Sequence, residues 1–151
     1  PFKMCFIIKL TSNLSFNVAE SFSLCDFNSS LNNDSPVWNT ASNISGWKLY
    51  LGDMYGNDFI PKYASPARET DYSDLPPALS YVGTIDPFHD ETIQYINNLN
   101  SNGIKTFFKK YEGCFHGFDV FFWTSMAKDA HQFMIEGFRY AMNNFSKQQP
   151  I

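Results

Sequence analysis

The change of hydrophobic period between residues 78 and 145 constrains this chain more than any other feature. Ala78-Leu79-Ser80-Tyr81-Val82-Gly83 is a short apolar run that reads as a strand. It is entered through Pro76 and Pro77, which cannot donate to a ladder themselves. From about His89 to Asn102 the period becomes helical. Ile93, Ile96 and Leu99 fall on one side, Asp90 and Glu91 occupy the first turn where the helix dipole favours anions, and Asn102-Gly103 closes the segment. Ile104 to Tyr111 is strand-like again, with Phe107 and Phe108 set among Lys105, Lys109 and Lys110, a charge pattern suited to a sheet edge. Thr124 to Phe145 then reads as a long helix with Met126, Ala130, Phe133, Met134, Phe138, Ala141, Met142 and Phe145 in one stripe. Strand, helix, strand, helix in that order predicts an α/β fold, a parallel sheet joined by right-handed crossovers.

The first half is less regular. Phe2 to Leu10 is an apolar run that fits a buried strand, giving about three parallel strands in all: 2–10, 78–83 and 104–111. Residues 11–46 are polar and rich in Asn and Ser, an excursion expected to carry one or two short helices. The clearest helical spacing is Trp38, Ile44, Trp47 and Leu51, with Gly52 as the stop. Residues 52–77 read as loop, and no internal repeat is visible.

At 151 residues the chain fits one domain. Its formal charge of -4, with no basic stripe, argues against a nucleic-acid partner. Aromatics make up 18% of the residues, enough for a bulky core or a large apolar contact surface. Cys5, Cys25 and Cys114 are scattered and form no CxxC pair, which excludes a zinc ribbon and suggests free thiols in a reducing compartment. The opening PFKMCFIIKL imitates a secretion signal for a few residues until Lys9 interrupts it. No uncharged apolar run reaches membrane-spanning length. A soluble, cytoplasmic protein with no membrane contact is expected.

In an open parallel sheet, reactive residues gather in the loops after the carboxyl ends of strands. Asp86 follows the 78–83 strand and His116 follows the 104–111 strand, thirty residues later (116 minus 86). That gap suits one crossover: a 14-residue helix returns roughly 21 Å and an eight-residue strand roughly 26 Å. If the two strands are neighbours, Asp86 and His116 emerge together within hydrogen-bonding reach. A carboxylate there fixes the imidazole tautomer and leaves Nε2 as a general base, although an Asp–His pair serves structure at least as often. Gly113 and Gly117 flank the His loop and permit a sharp turn.

Neighbouring residues carry weaker readings. His89 and Asp90 sit near Asp86 and His116 in what resembles a metal cluster, but Asp90 and Glu91 are already explained as first-turn charges, so no metal is assigned. Cys114 stands two residues from His116 and is read as an inert thiol rather than a nucleophile. His131, beside the last helix's apolar stripe, reads as a surface or interface residue rather than a catalytic one. Trp38, Trp47 and Tyr50 line a pocket or, more simply, pack the excursion onto the sheet. Phe115, Phe118, Phe121, Phe122 and Trp123 read as core and dimer contact.

PVWNTASNISGWKLYLG, KYASPARETDYSDLPPALSYVGTIDPFHDE and YEGCFHGFD resemble the carboxyl-terminal part of esterases of the hormone-sensitive-lipase-like branch of the α/β-hydrolase fold. The resemblance runs from Pro1 to about Phe145. Its most specific pieces are ASPAR (Ala64 to Arg68), LPPA (Leu75 to Ala78), the DPFHDE run and the HGF triplet (His116 to Phe118). It implies that Asp86 and His116 are members of a catalytic triad acting on a small-molecule ester, with no cofactor. It also implies that Phe2 to Leu10 is the strand two before the sheet's end, and that residues 11–60 are a variable excursion.

One departure is large. The family places its nucleophile in a GxSxG elbow and its oxyanion hole in an HGGG-type loop, both upstream of the segment represented here. With Gly only at 46, 52, 56, 83, 103, 113, 117 and 137, neither motif can be written in this chain, so it supplies no nucleophile. Residues 1–151 are therefore expected to be the carboxyl-terminal portion of one hydrolase domain, inactive alone. Its open sheet edge would pair with a second copy, as a homodimer, or with the missing amino-terminal half. The rival expectation is a non-catalytic remnant kept as an interaction module. Substrate-binding residues, and with them acyl and alcohol preference, are not legible.

Overall fold

The computed structural model of the chain describes residues 6–9, 17–20, 34–57, 60, 70–72, 75 and 77–145. In chain order its elements are β1 (Phe6–Lys9), β2 (Asn17–Glu20), α1 (Thr40–Leu51), β3 (Ala78–Gly83), α2 (His89–Ser101), β4 (Thr106–Tyr111) and α3 (Ser125–Phe145). Short 3-10 turns lie at Gly52–Met54 and Phe118–Val120. Cys5, Cys25 and the ASPAR segment fall outside the described residues.

β3 and β4 pair in parallel, from Ala78 opposite Thr106 to Gly83 opposite Tyr111, as the crossover spacing requires. Alternation divides their side chains between two faces. On one face Ala78 and Phe108 pack with Ile96 and Leu99 of α2 and with Tyr72. On the other, Tyr81 and Tyr111 pack with Cys114, Phe118 and Ala130 of α3. Helices thus cover both faces of the pair, which explains why β3 is buried at every position except Tyr81. Burying a side chain such as Ile96 or Leu99 contributes about 1.5–3 kcal/mol.

Local chemistry sets the helix boundaries. α1 begins at Thr40 rather than Trp38 because the Asn39 side chain caps it, accepting the Ser42 N–H at 3.0 Å. Its buried face is Asn43, Trp47 and Leu51, spaced by four. β4 begins two residues later than the expected Ile104. The Ile104 N–H still bonds to Leu99 O at 3.0 Å and finishes the end of α2, while Lys105 O accepts the Ala78 N–H.

α3 occupies the expected residues, and the expected stripe faces inward only in part. Ala127, Ala130 and Ala141 are buried, whereas Met126 and Phe138 of the predicted stripe are exposed. Bulk on β3 is the reason. A Cβ on Gly137 would stand 2.5 Å from Leu79 Cδ1, so the helix approaches the sheet through its small residues and turns several large ones outward. Phe122 and Trp123, just before α3, are exposed too, while Phe118 of the same aromatic cluster is core.

The expected third parallel strand is corrected. β1 lies close to β3, but among the described residues it shares no ladder with it and instead pairs antiparallel with β2. Only the seven residues 10–16 separate β1 from β2. An antiparallel partner needs no more than a short loop, whereas a parallel crossover takes a dozen residues or more. Among the described residues no helix is long and apolar enough to cross a membrane.

Candidate active site

The two loops that follow β3 and β4 are stitched together by the backbone. Beyond the last ladder pair, the Thr84 N–H donates to Tyr111 O at 3.0 Å and the Ile85 N–H to Cys114 O at 3.1 Å. The Gly113 N–H reaches Thr84 Oγ1 at 2.9 Å. Gly113 and Gly117 both hold left-handed φ values, 67° and 74°, so the chain reverses twice within five residues at little steric cost. His116 is carried between those two turns. Gly83 sits directly beneath, so close to Cys114 that no side chain fits there.

Asp86 and His116 meet in this stitched corner. His116 Nδ1 lies 3.0 Å from Asp86 Oδ2, with the carboxylate buried and the imidazole nearly so. The other carboxylate oxygen, Oδ1, accepts the Phe88 N–H at 2.9 Å, and Asp86 O accepts the His89 N–H at 3.0 Å, which ties the residue to the start of α2. An ionised carboxylate only accepts hydrogen bonds, so this contact puts the ring proton on Nδ1 and leaves the Nε2 lone pair available in the neutral imidazole. Two rings flank it: Phe88 meets the imidazole edge-on at 5.2 Å between centroids, and Trp38 lies at 6.0 Å, tilted by 41°.

The other candidates have different surroundings. His89 Nδ1 turns to Asp90 Oδ1 at 2.7 Å. Among the described residues, no three His, Cys, Asp or Glu side chains are gathered as a metal site. Cys114 is buried with Sγ 3.1 Å from Met126 Sδ, and burial, followed by the Glu112 charge, pushes its thiol pKa up, away from thiolate chemistry. His131 Nε2 stands 3.7 Å from Asp119 Oδ2, and that buried carboxylate also accepts the Tyr81 O–H at 2.8 Å. Sequence reasoning missed Ser35, whose hydroxyl donates to Ile85 O at 2.6 Å across 50 residues. No periodic signal marks such a contact.

A polar cluster anchors the end of β4. The Tyr111 O–H donates to Asp129 Oδ2 at 2.6 Å, and Lys109 pairs with the same oxygen. Hydrogen bonds from Lys109 and then Tyr111 hold Asp129 below the usual carboxylate range. Burial, then Asp129, pushes the Tyr111 phenol well above its ordinary value. Folded Tyr111 therefore keeps its proton at a pH where the unfolded chain, with a phenol pKa near 10, gives it up, so stability declines as pH rises past about 10. Asp129 acts in the opposite range: its contribution is present above about pH 4 and is lost in acid. Urea unfolding of Tyr111→Phe should show a flatter decline between about pH 9.5 and 12. At neutral pH the variant should lose about 1 kcal/mol with its hydrogen bond. An alkaline limb unchanged by the substitution would rule out this origin.

An α/β corner in which a carboxylate and an imidazole leave neighbouring parallel strands is an arrangement found in hydrolases. The chain belongs to the alpha/beta-hydrolase fold family, whose model matches residues 18–120. Among solved structures it is similar to a bacterial heroin esterase, with 30% identity and a TM-score of 0.63 over 68% of this chain and 34% of that one. It is also similar to the esterase LipW from Mycobacterium marinum, with 25% identity and a TM-score of 0.59 over 70% of this chain and 32% of that one. DphMB1 aligns at 25% identity and a TM-score of 0.66, over 73% of this chain and 36% of that one. The chain spans about a third of the length of each of these structures. A comparison with curated proteins returns no match. The likeness to esterases of the hormone-sensitive-lipase-like branch, read from the DPFHDE and HGF runs, agrees with these relatives.

Proposed function

We propose that this chain supplies the acid and base of a Ser-His-Asp triad that hydrolyses short-chain carboxylic esters. The observation that carries the reading is the 3.0 Å contact between His116 Nδ1 and Asp86 Oδ2 at the carboxyl ends of two parallel strands. His116 Nε2 takes the proton of a serine hydroxyl as that oxygen attacks the ester carbonyl. Asp86 stabilises the imidazolium, which then protonates the departing alkoxide; water deacylates the serine by the same route. The serine and oxyanion donors come from a segment carrying a GxSxG elbow, outside residues 1–151. On this reading these residues are the carboxyl-terminal portion of one hydrolase domain. That domain works in a reducing, cytoplasmic setting; it is completed by its amino-terminal half, and its open sheet edge pairs with that half or with a second copy. The exposed Phe122 and Trp123 suit such a contact.

Assay with p-nitrophenyl butyrate tests the proposal. The 151-residue chain alone should show no turnover. The chain extended upstream through a serine elbow should be active, and His116→Ala should return it to the level of the chain alone. Turnover that survives His116→Ala would sink the assignment. A completed chain with no turnover at all would favour the non-catalytic interaction module.

A further inference from the structure

The placement of Trp38 beside His116 draws on one local cost, a packing contact and one long-range tie. The Trp38 N–H closes onto Pro36 O at 2.8 Å, a γ-turn whose central residue, Val37, has φ 71°. A β-branched residue rarely adopts that conformation, and Val37 is 70% exposed, so its burial does not offset the strain. Gly46 stands in the interior of α1, where glycine is unfavourable. A Cβ there would lie 3.4 Å from Cζ2 of the Trp38 indole, ordinary contact distance, so the ring lies against this part of α1. Ser35 fixes the other end of the segment through its bond to Ile85 O, next to Asp86. Trp38 as a whole remains partly exposed, although its Nε1 atom is buried.

From these observations we infer that Trp38 is a specificity-determining residue. With Phe88 it forms an aromatic wall against His116 that receives an aryl or other flat apolar group of the ester, next to the reacting carbonyl. Such rings favour flat apolar partners through dispersion and edge-to-face contact, and a methyl group covers little of them. The inference rests on the hydrolase reading for the word ester, but the wall itself can be tested without a serine.

Acetophenone and acetone each present a carbonyl with no leaving group, one with an aryl arm and one without. Titrated into the 151-residue chain, acetophenone should shift the Trp38 indole and His116 ring resonances saturably. It should bind about ten-fold more tightly than acetone. Trp38→Leu keeps apolar bulk against Gly46 but removes the aromatic face, and it should abolish most of that preference. Trp38→Phe, the gentler change if Leu unfolds the chain, should retain part of it. Equal affinity for the two ketones, shifts confined to surfaces away from His116, or a preference intact in the folded variant would each overturn the inference. Failure here alongside ester turnover by the completed chain removes only the aromatic wall. Success here without turnover removes the hydrolase reading and leaves an aryl-binding site.

Discussion

Gly83→Ala is expected to destabilise the fold by about 3 kcal/mol or more, since overpacking against backbone finds no rotamer to escape into. A Cβ at this position would lie 2.0 Å from Cys114 O and 2.5 Å from Cys114 C. Real Cβ atoms do not come that close, and a carbonyl fixed in the main chain cannot swing aside as a side chain can. The same carbonyl accepts the Ile85 N–H, so any shift that relieves the clash also breaks the bond stitching the Asp86 loop to the His116 loop. The variant should therefore lose stability and the Asp86–His116 contact together. Denaturant unfolding reads the first and the His116 ring resonances read the second. Gly113→Ala provides the comparison: its Cβ meets open space, and only its φ of 67° penalises the change, by about 1–2 kcal/mol. A Gly83→Ala cost no greater than that of Gly113→Ala would show that the close approach is not a constraint.

This dependence on Gly83 marks the boundary of what the sequence discloses. The strand and helix pattern from Ala78 to Phe145 was legible because period 2 and period 3.6 leave different marks on apolar spacing. The Asp86–His116 meeting was legible because one crossover has a nearly fixed length. By contrast, β2 is the four residues Asn-Val-Ala-Glu, too short and too polar to stand out, and it diverted β1 from the parallel sheet into a hairpin. The inward face of α3 was read in part: Ala130 and Ala141 of the stripe are buried, but Ala127 and the close approach of Gly137 to Leu79 were missed because hydrophobicity patterns undervalue small residues. Ser35 reaches the site through a side-chain contact over a long sequence separation, and no local rule encodes it; Trp38 was open to a pocket-lining reading, but its place beside His116 was not legible for the same reason.

Asp86→Asn should lower kcat/KM of the serine-completed chain by roughly 10⁴-fold while leaving the fold intact. The reason lies in how the two carboxylate oxygens are used. Oδ1 accepts the Phe88 N–H at 2.9 Å and Oδ2 faces His116 Nδ1 at 3.0 Å. An asparagine must keep its oxygen toward the Phe88 N–H, because the reverse orientation sets two donors against each other. Its NH₂ then points at His116 Nδ1, which has to become an acceptor. The neutral ring is forced into the Nε2–H tautomer, and the nitrogen that should take the serine proton already carries one. Nitrogen-15 spectra of the 151-residue chain should show the change directly: Nδ1–H in the parent, Nε2–H in the variant, when the ring is neutral. Pairing the two measurements separates a chemical role from a packing role. A merely structural contact would cost stability and leave the completed enzyme's rate within about ten-fold of the parent, since general acid–base catalysis by the ring would still operate. A large rate loss with the tautomer switched and the unfolding midpoint nearly unchanged is the pattern that only an orienting carboxylate produces.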